Sequence, residues 1–154
     1  MIFPFSIKCT RKFKDKISLG ETVVVMTYIQ DFMARKTCKT ITINGHLLTY
    51  KPGSFRNKWN TDILATVEKG KFEFVNTGTE SILTYEFFMY HLFLWTSLMS
   101  ILIGVISADI WIGVFCFAWL GVLNWIIAIF RHRLMLKDIV LGIETLINEK
   151  KGSL

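Results

Sequence analysis

The chain has 154 residues, of which 52% are hydrophobic, and a formal net charge of +6. Its mean hydropathy of +0.43 is too high for an ordinary soluble domain of this length. Its three cysteines, odd in number and widely spaced, suggest neither a disulfide framework nor a thiol metal site. The apolar excess is local: Phe87 to Phe130 holds one formally charged residue, Asp109, while residues 1–86 have the composition of a small globular domain.

Ile2 to Cys9 alternates loosely and is rich in Phe and Ile, as a first strand would be. This stretch has no basic leader and contains Pro4, so no cleavable signal is expected. A basic patch follows from Lys8 to Lys16, with Arg11, Lys12 and Lys14 inside it. It reads as a solvated strand end or turn, or as a contact for anionic lipid headgroups. Its aromatic residues are not interleaved with the basic ones, so no nucleic-acid partner is expected.

Ser18-Leu19-Gly20-Glu21 has the form of a capping box. The residues after it place Val25, Ile29, Phe32 and Met33 on one face, which predicts an amphipathic helix from Leu19 to Lys36 despite three consecutive valines. Period-two segments then run from Thr40 to Asn44 and from His46 to Lys51, around the turn dipeptide Asn44-Gly45. Three more strands are expected at Ile63 to Glu68, Phe72 to Asn76 and Ile82 to Phe87, with breaks at Lys69-Gly70 and Asn76-Thr77-Gly78. The fold class that results is α+β, a small domain (residues 1–86) with one helix on an antiparallel sheet.

The run from Phe87 is twice too long for one bilayer crossing. It reads as a two-helix transmembrane hairpin, with spans at about 88–107 and 110–130 and a turn at Ser107-Ala108-Asp109. A short amphipathic helical tail, residues 131–154, follows. No flexible linker separates the last strand from the first span, so the domain is expected to sit in a fixed orientation. Thirteen of the 18 Lys and Arg precede the hairpin, five follow it, and none lies in the turn. The positive-inside rule then makes both termini cytoplasmic, in a multi-pass protein of the inner (plasma) membrane. Tyr85, Phe87, Phe88 and Tyr90, with Trp125 and Phe130, are expected to form interfacial aromatic belts.

Small and polar residues mark a packing seam inside the hairpin: Ser97, Ser100 and Gly104 on the first span, Gly113, Gly121 and Asn124 on the second. Antiparallel pairing about Ala108 sets Gly104 opposite Gly113 and Gly121 near Thr96 and Ser97. Asn124 is expected to bond to Thr96 or Ser97, or to its own copy in a neighbouring chain. Phe55, Arg56, Lys58 and Trp59 form a second candidate contact, for the membrane surface or a small anionic ligand, if they do not simply close the domain core.

No phosphate loop, nucleophile elbow or paired metal-ligand histidines occur, so no cofactor or metal is expected and the protein reads as non-enzymatic. The leading expectation is an interaction or assembly module held at the bilayer, with a homo-oligomer or another membrane protein as partner. The alternative is an oligomerising effector that permeabilises the bilayer when its domain senses a ligand. A tethered enzyme built from His46, Glu68, Glu73 and Glu80 is the weakest reading, because nothing in the sequence aligns those residues.

Overall fold

A computed structural model describes residues 6–36, 38–52, 67–77 and 79–152. Five strands form one antiparallel sheet: β1 (Ser6–Lys12), β2 (Cys38–Asn44), β3 (Leu47–Pro52), β4 (Lys69–Asn76) and β5 (Ser81–Phe88), in the order β1-β5-β4-β3-β2. The helices are α1 (Thr22–Arg35), α2 (Tyr90–Ile106), α3 (Ile110–Cys116) and α4 (Asn124–Gly152). A π-helical section, Phe117–Leu123, joins α3 to α4, so Ile110–Gly152 is one continuous helix of 43 residues.

The register separates the two faces of the sheet. Cys9 pairs with Tyr85, Tyr85 with Phe72, and Phe72 with Leu48, so these four share one face. That face is closed by Val25, Met26, Ile29 and Met33 of α1 and by Met135, Leu136, Ile139 and Ile143 of α4. Burying each such side chain contributes about 1.5–3 kcal/mol. The next row, Lys8, Glu86, Lys71 and Thr49, lies on the other face, where Lys71 Nζ and Glu86 meet at 2.9 Å. Among the described residues, the domain is therefore a two-layer α+β structure with its helices on one side of the sheet.

The apolar side of the tail segment is buried against this sheet, so α4 supplies the second helix of the layer, beside the single helix expected. Tyr28 of α1 packs its ring against Gly142 of α4, where a side chain would collide with the hydroxyl.

Several local expectations need adjustment. The first strand continues to Lys12, which puts Lys8 to Lys12 in the sheet. The helix opens with a 3-10 turn, Leu19–Glu21, in which Glu21 Oε2 accepts from Ser18 N at 2.7 Å. Gly45 takes the positive φ of 59° that the hairpin turn requires. Lys69-Gly70 is not a break but the start of β4, and Gly70 is needed there: a Cβ would sit 2.5 Å from the Tyr50 ring. Residues 63–66 of the strand expected at Ile63 to Glu68 lie outside the described residues, and Glu68 itself forms a bend. Tyr85 and Phe87 are not interfacial aromatics, because both are fully buried in the core.

Among the described residues, only the continuous helix Ile110–Gly152, with a hydropathy of 2.2 over its most apolar stretch, is long and apolar enough to cross a membrane. At 17 residues, α2 is equally apolar in character, but it spans about 26 Å, short of a hydrocarbon core of about 30 Å.

Candidate functional site

The features with functional potential gather where the α+β domain meets the apolar helices. Met89 alone separates β5 from α2, and it is fully buried. The first turn of α2 presents unbonded N–H groups, as every helix start does. Glu68 supplies the acceptors from outside the helix: Oε2 accepts from Tyr90 N at 3.1 Å and Oε1 from His91 N at 2.7 Å. Its own N–H donates to Phe88 O at 3.0 Å, which clamps the strand end as well. Burial raises the Glu68 carboxyl above its ordinary pKa, and the two N–H groups together with His91 act in the opposite direction.

Behind this clamp a polar chain runs through the core. Tyr50 Oη and Tyr85 Oη are 2.5 Å apart, and Tyr85 Oη lies 3.1 Å from His132 Nδ1. The His132 ring also packs 4.2 Å from the Phe87 ring, centroid to centroid. His132 is fully buried, and its Nε2 has no hydrogen-bond partner among the described residues. Burial, reinforced by the charge of Arg131, lowers its pKa to about 4, so the imidazole is neutral at physiological pH. Burial also pushes the Tyr50 and Tyr85 hydroxyls far above the usual phenol range. Beside them the Cys9 thiol is raised by burial, against the opposing pull of Arg133. Tyr50, Tyr85 and His132 thus form one neutral hydrogen-bonded chain at physiological pH.

The seam residues meet between the two apolar helices. The turn is built by Ala108 at φ 52° and by Asp109, whose Oδ1 caps α3 by accepting from Trp111 N at 2.9 Å. A Cβ on Gly113 would lie 3.0 Å from Ser100 O and 3.2 Å from Gly104 Cα, so only small residues permit this approach. Gly121 is fitted against Thr96 in the same way, with Oγ1 3.2 Å from its virtual Cβ. Beside the seam runs a groove of ≈ 500 Å³ bordered by Ser97, Ser100, Ile101, Val114 and Phe117. Ser100 is buried there, and its Oγ has no hydrogen-bond partner among the described residues.

Asn124 differs from its expected role. Its side chain is exposed and donates to Leu120 O of its own helix at 2.6 Å, bonding neither Thr96 nor Ser97. Its backbone N–H donates to Gly121 O, three residues back, where the π section ends. Thr96 Oγ1 is likewise used locally, donating to Leu92 O at 2.8 Å.

The basic patch lies away from this junction. Ser6 pairs with Phe88 at the end of the sheet next to α2, whereas Arg11 pairs with Leu83 and Lys12 with Ile82 at the opposite end. At about 3.3 Å per residue, Lys12 stands roughly 20 Å from Ser6. There Lys12 Nζ meets Glu80 at 2.7 Å, and Lys14 N donates to Glu144 Oε1 at 2.7 Å. Phe55, Arg56, Lys58 and Trp59 lie outside the described residues.

Glu68, named from the sequence only as a weak catalytic candidate, and His132 hold places in the structure that sequence reasoning did not give them. His132 has a signal in the sequence, since it shares a helical face with Met135, Leu136, Ile139 and Ile143. Glu68 has none, because its role depends on a contact across 22 residues of sequence. Among the described residues, no three His, Cys, Asp or Glu side chains are grouped as a metal site. No known protein family, curated protein or solved structure matches this chain.

Proposed function

We propose that the protein is a non-enzymatic integral membrane protein whose α+β domain is held at the bilayer surface as an interaction or assembly module. The observation that carries the reading is the continuity of Ile110–Gly152: the apolar helix and the helix that completes the domain core are one element. Together with the clamp that Glu68 makes on α2, it gives the domain two stiff connections to the apolar helices. Such a domain cannot swing on a tether, so whatever it binds is bound at a fixed height and orientation.

In this reading α2 and the first part of the long helix cross the bilayer as a two-span hairpin. The shortness of α2 is met by tilt of its partner or local thinning, each costing a fraction of a kcal/mol per Å of mismatch. Both ends then lie in the cytoplasm, a placement that the absence of Lys and Arg from the turn favours. The test starts from membranes carrying the full chain. Resistance to alkaline carbonate, followed by purification in mild detergent as an assembly larger than one chain, is the expected result. Release by carbonate would refute the membrane reading, and a lone monomer would refute the assembly reading.

The groove beside the seam supports a second reading, in which several hairpins associate and permeabilise the bilayer when the domain binds a ligand. Its lining of Ser97, Ser100 and small glycines admits close helix approach. Dye leakage from liposomes containing the full chain separates the two readings, because an anchored interaction module produces none.

A further inference from the structure

We propose that a collar of cations at the α2 end of the sheet binds anionic lipid headgroups, and that the basic patch of Arg11, Lys12 and Lys14 does not. The inference rests on the membrane reading above and specifies which surface of the domain meets the bilayer.

The strand register fixes which charges stand at which end. Lys69 pairs with Phe88, the last residue of β5, so it lies level with the start of α2. Its Nζ is 4.6 Å from the centroid of the Phe88 ring, which holds the ammonium beside the first apolar turn. Lys51 follows Tyr50, the partner of Gly70, and so reaches the same end from β3. Arg35 closes α1 just before β2 begins at Cys38, opposite Pro52. On α4, Arg131 and Arg133 flank His132, whose ring touches Phe87. Arg35, Lys51, Lys69 and Arg133 are all exposed.

Among the described residues, Glu68 and Glu86 at this end are already engaged. Both Glu68 oxygens accept from the α2 backbone, and Glu86 is held by Lys71 at 2.9 Å and Ser6 at 2.6 Å. Asp31 lies one helical turn back from Arg35. The opposite end is balanced instead: Lys12 is paired with Glu80, Asp15 stands between Lys14 and Lys16, and Glu144 sits against the Lys14 backbone. An excess of cations around the base of an apolar helix pair is complementary to an anionic leaflet, where the potential decays within about 10 Å. The roughly 20 Å strand length puts the Arg11–Lys14 end beyond that range.

The test uses the full chain reconstituted in phosphatidylcholine vesicles containing trace spin-labelled phosphatidylglycerol or spin-labelled phosphatidylcholine. Electron paramagnetic resonance reads the fraction of each probe that is immobilised by the protein. The chain is expected to prefer phosphatidylglycerol. The triple variant Arg35→Gln, Lys51→Gln, Lys69→Gln is expected to lose at least about fivefold of that preference, the factor that one surface cation contributes. The variant Arg11→Gln, Lys12→Gln, Lys14→Gln, with the same change in charge, is expected to keep it. All six residues are exposed, and an unchanged near-ultraviolet circular dichroism spectrum confirms that each variant is folded. Equal preference in all three proteins, or loss in the second variant alone, overturns the collar. Absence of any immobilised lipid, even phosphatidylcholine, overturns the membrane reading itself and is a distinct outcome.

Discussion

The long helix obeys two different packing rules along its length. From His132 onward it has a buried stripe of large side chains, with Met135, Leu136, Ile139 and Ile143 at 0–2% exposure, and an outer side that carries Arg133, Lys137, Asp138 and Glu149. From Ile110 to Leu123 the arrangement is inverted: the large residues point outward, with Trp111 at 75%, Phe115 at 67% and Trp119 at 61% exposed, while the buried positions are Gly113 and Gly121. The first pattern is hydrophobic burial away from water, which needs bulk inside. The second is close helix approach where the surroundings are themselves apolar, which needs small residues inside. The solvent each half is built for can therefore be read from which residues it hides.

The most severe way to break this contrast is to place the same charge in the domain half and on α2, the apolar partner of the other half. Ile139→Asp puts a carboxylate at a fully buried position in the domain core and should cost more than about 4 kcal/mol, enough to unfold a small domain. Ile101→Asp, at a position 65% exposed on α2, should leave the domain fold intact. It should instead reduce membrane insertion, by about 3 kcal/mol at the middle of a span. Near-ultraviolet circular dichroism reports the first effect and the membrane-bound fraction the second. If Ile101→Asp unfolds the domain, the two halves are not separate regimes.

A second effect belongs to the domain half alone. His132 takes up a proton near its ordinary pKa of 6.5 when unfolded but only near 4 when folded. The unfolded chain therefore binds more protons between these values, and stability falls as pH drops from 6.5 towards 4. The loss attributable to this residue is roughly 3 kcal/mol, and it is complete below the folded pKa. His132→Phe keeps the ring against Phe87 and leaves Tyr85 bonded to Tyr50, so its stability should be flatter across that window. Unfolding midpoints in mild detergent, measured at several pH values for both proteins, provide the check.

Much of the domain half was legible in the sequence because its signals are local. Asn44-Gly45 announces its turn, Ser18 to Glu21 the start of a helix, and the period-two runs their strands. The failures share a cause. Gly70 looked like a break but is a strand residue whose missing side chain makes room for Tyr50, a partner 20 positions away. Tyr85 and Phe87 looked interfacial because they adjoin the apolar run, yet the alternation of β5 turns them into the core. The site residues split in the same way. Gly104, Gly113 and Gly121 follow from pairing the helices about Ala108, whereas the Asn124 amide turns back to its own helix, a choice that spacing does not announce. The distal position of Arg11 and Lys12 required the register between β1 and β5.

Close approach can be tested at two places in the domain half with one kind of substitution. Gly70→Ala forces its methyl into the Tyr50 ring, which is held by its hydroxyl contact to Tyr85 and cannot swing away. The cost should be about 1–3 kcal/mol. Gly142→Ala meets the Tyr28 hydroxyl, but Tyr28 is only half-buried and can move outward. Replacing a helical glycine returns up to about 1 kcal/mol. The net loss should therefore be smaller than at Gly70, and it should become a gain in the background Tyr28→Ala. Denaturant midpoints for the three variants rank these outcomes, and equal losses at Gly70 and Gly142 would show that the mobility of the neighbouring ring does not matter.

The smallest expected effect concerns the charges that the strand register assigns to opposite ends of the sheet. Lys12 and Glu80 form an ion pair at 2.7 Å, but their side chains are 64% and 50% exposed. Water and salt screen such a pair, so Lys12→Ala should change stability by no more than about 0.5–1 kcal/mol, and by less at high ionic strength. Lys71 and Glu86 are separated by a similar 2.9 Å, but the Glu86 side chain is only 15% exposed and also accepts from Ser6 at 2.6 Å. The pair and the serine hydroxyl hold the Glu86 carboxyl below its ordinary pKa despite partial burial, which raises it. Lys71→Ala leaves that carboxylate with one partner fewer and should cost more than Lys12→Ala at low salt. The depressed pKa also fixes the sign with pH: Glu86 contributes its stability above the ordinary carboxylate range and loses it on acidification. The difference between the two lysine variants should therefore be clear at neutral pH and vanish once Glu86 is protonated. Persistence of the difference in acid would mean that Lys71 acts through the packing of its stem over the sheet and not through its charge.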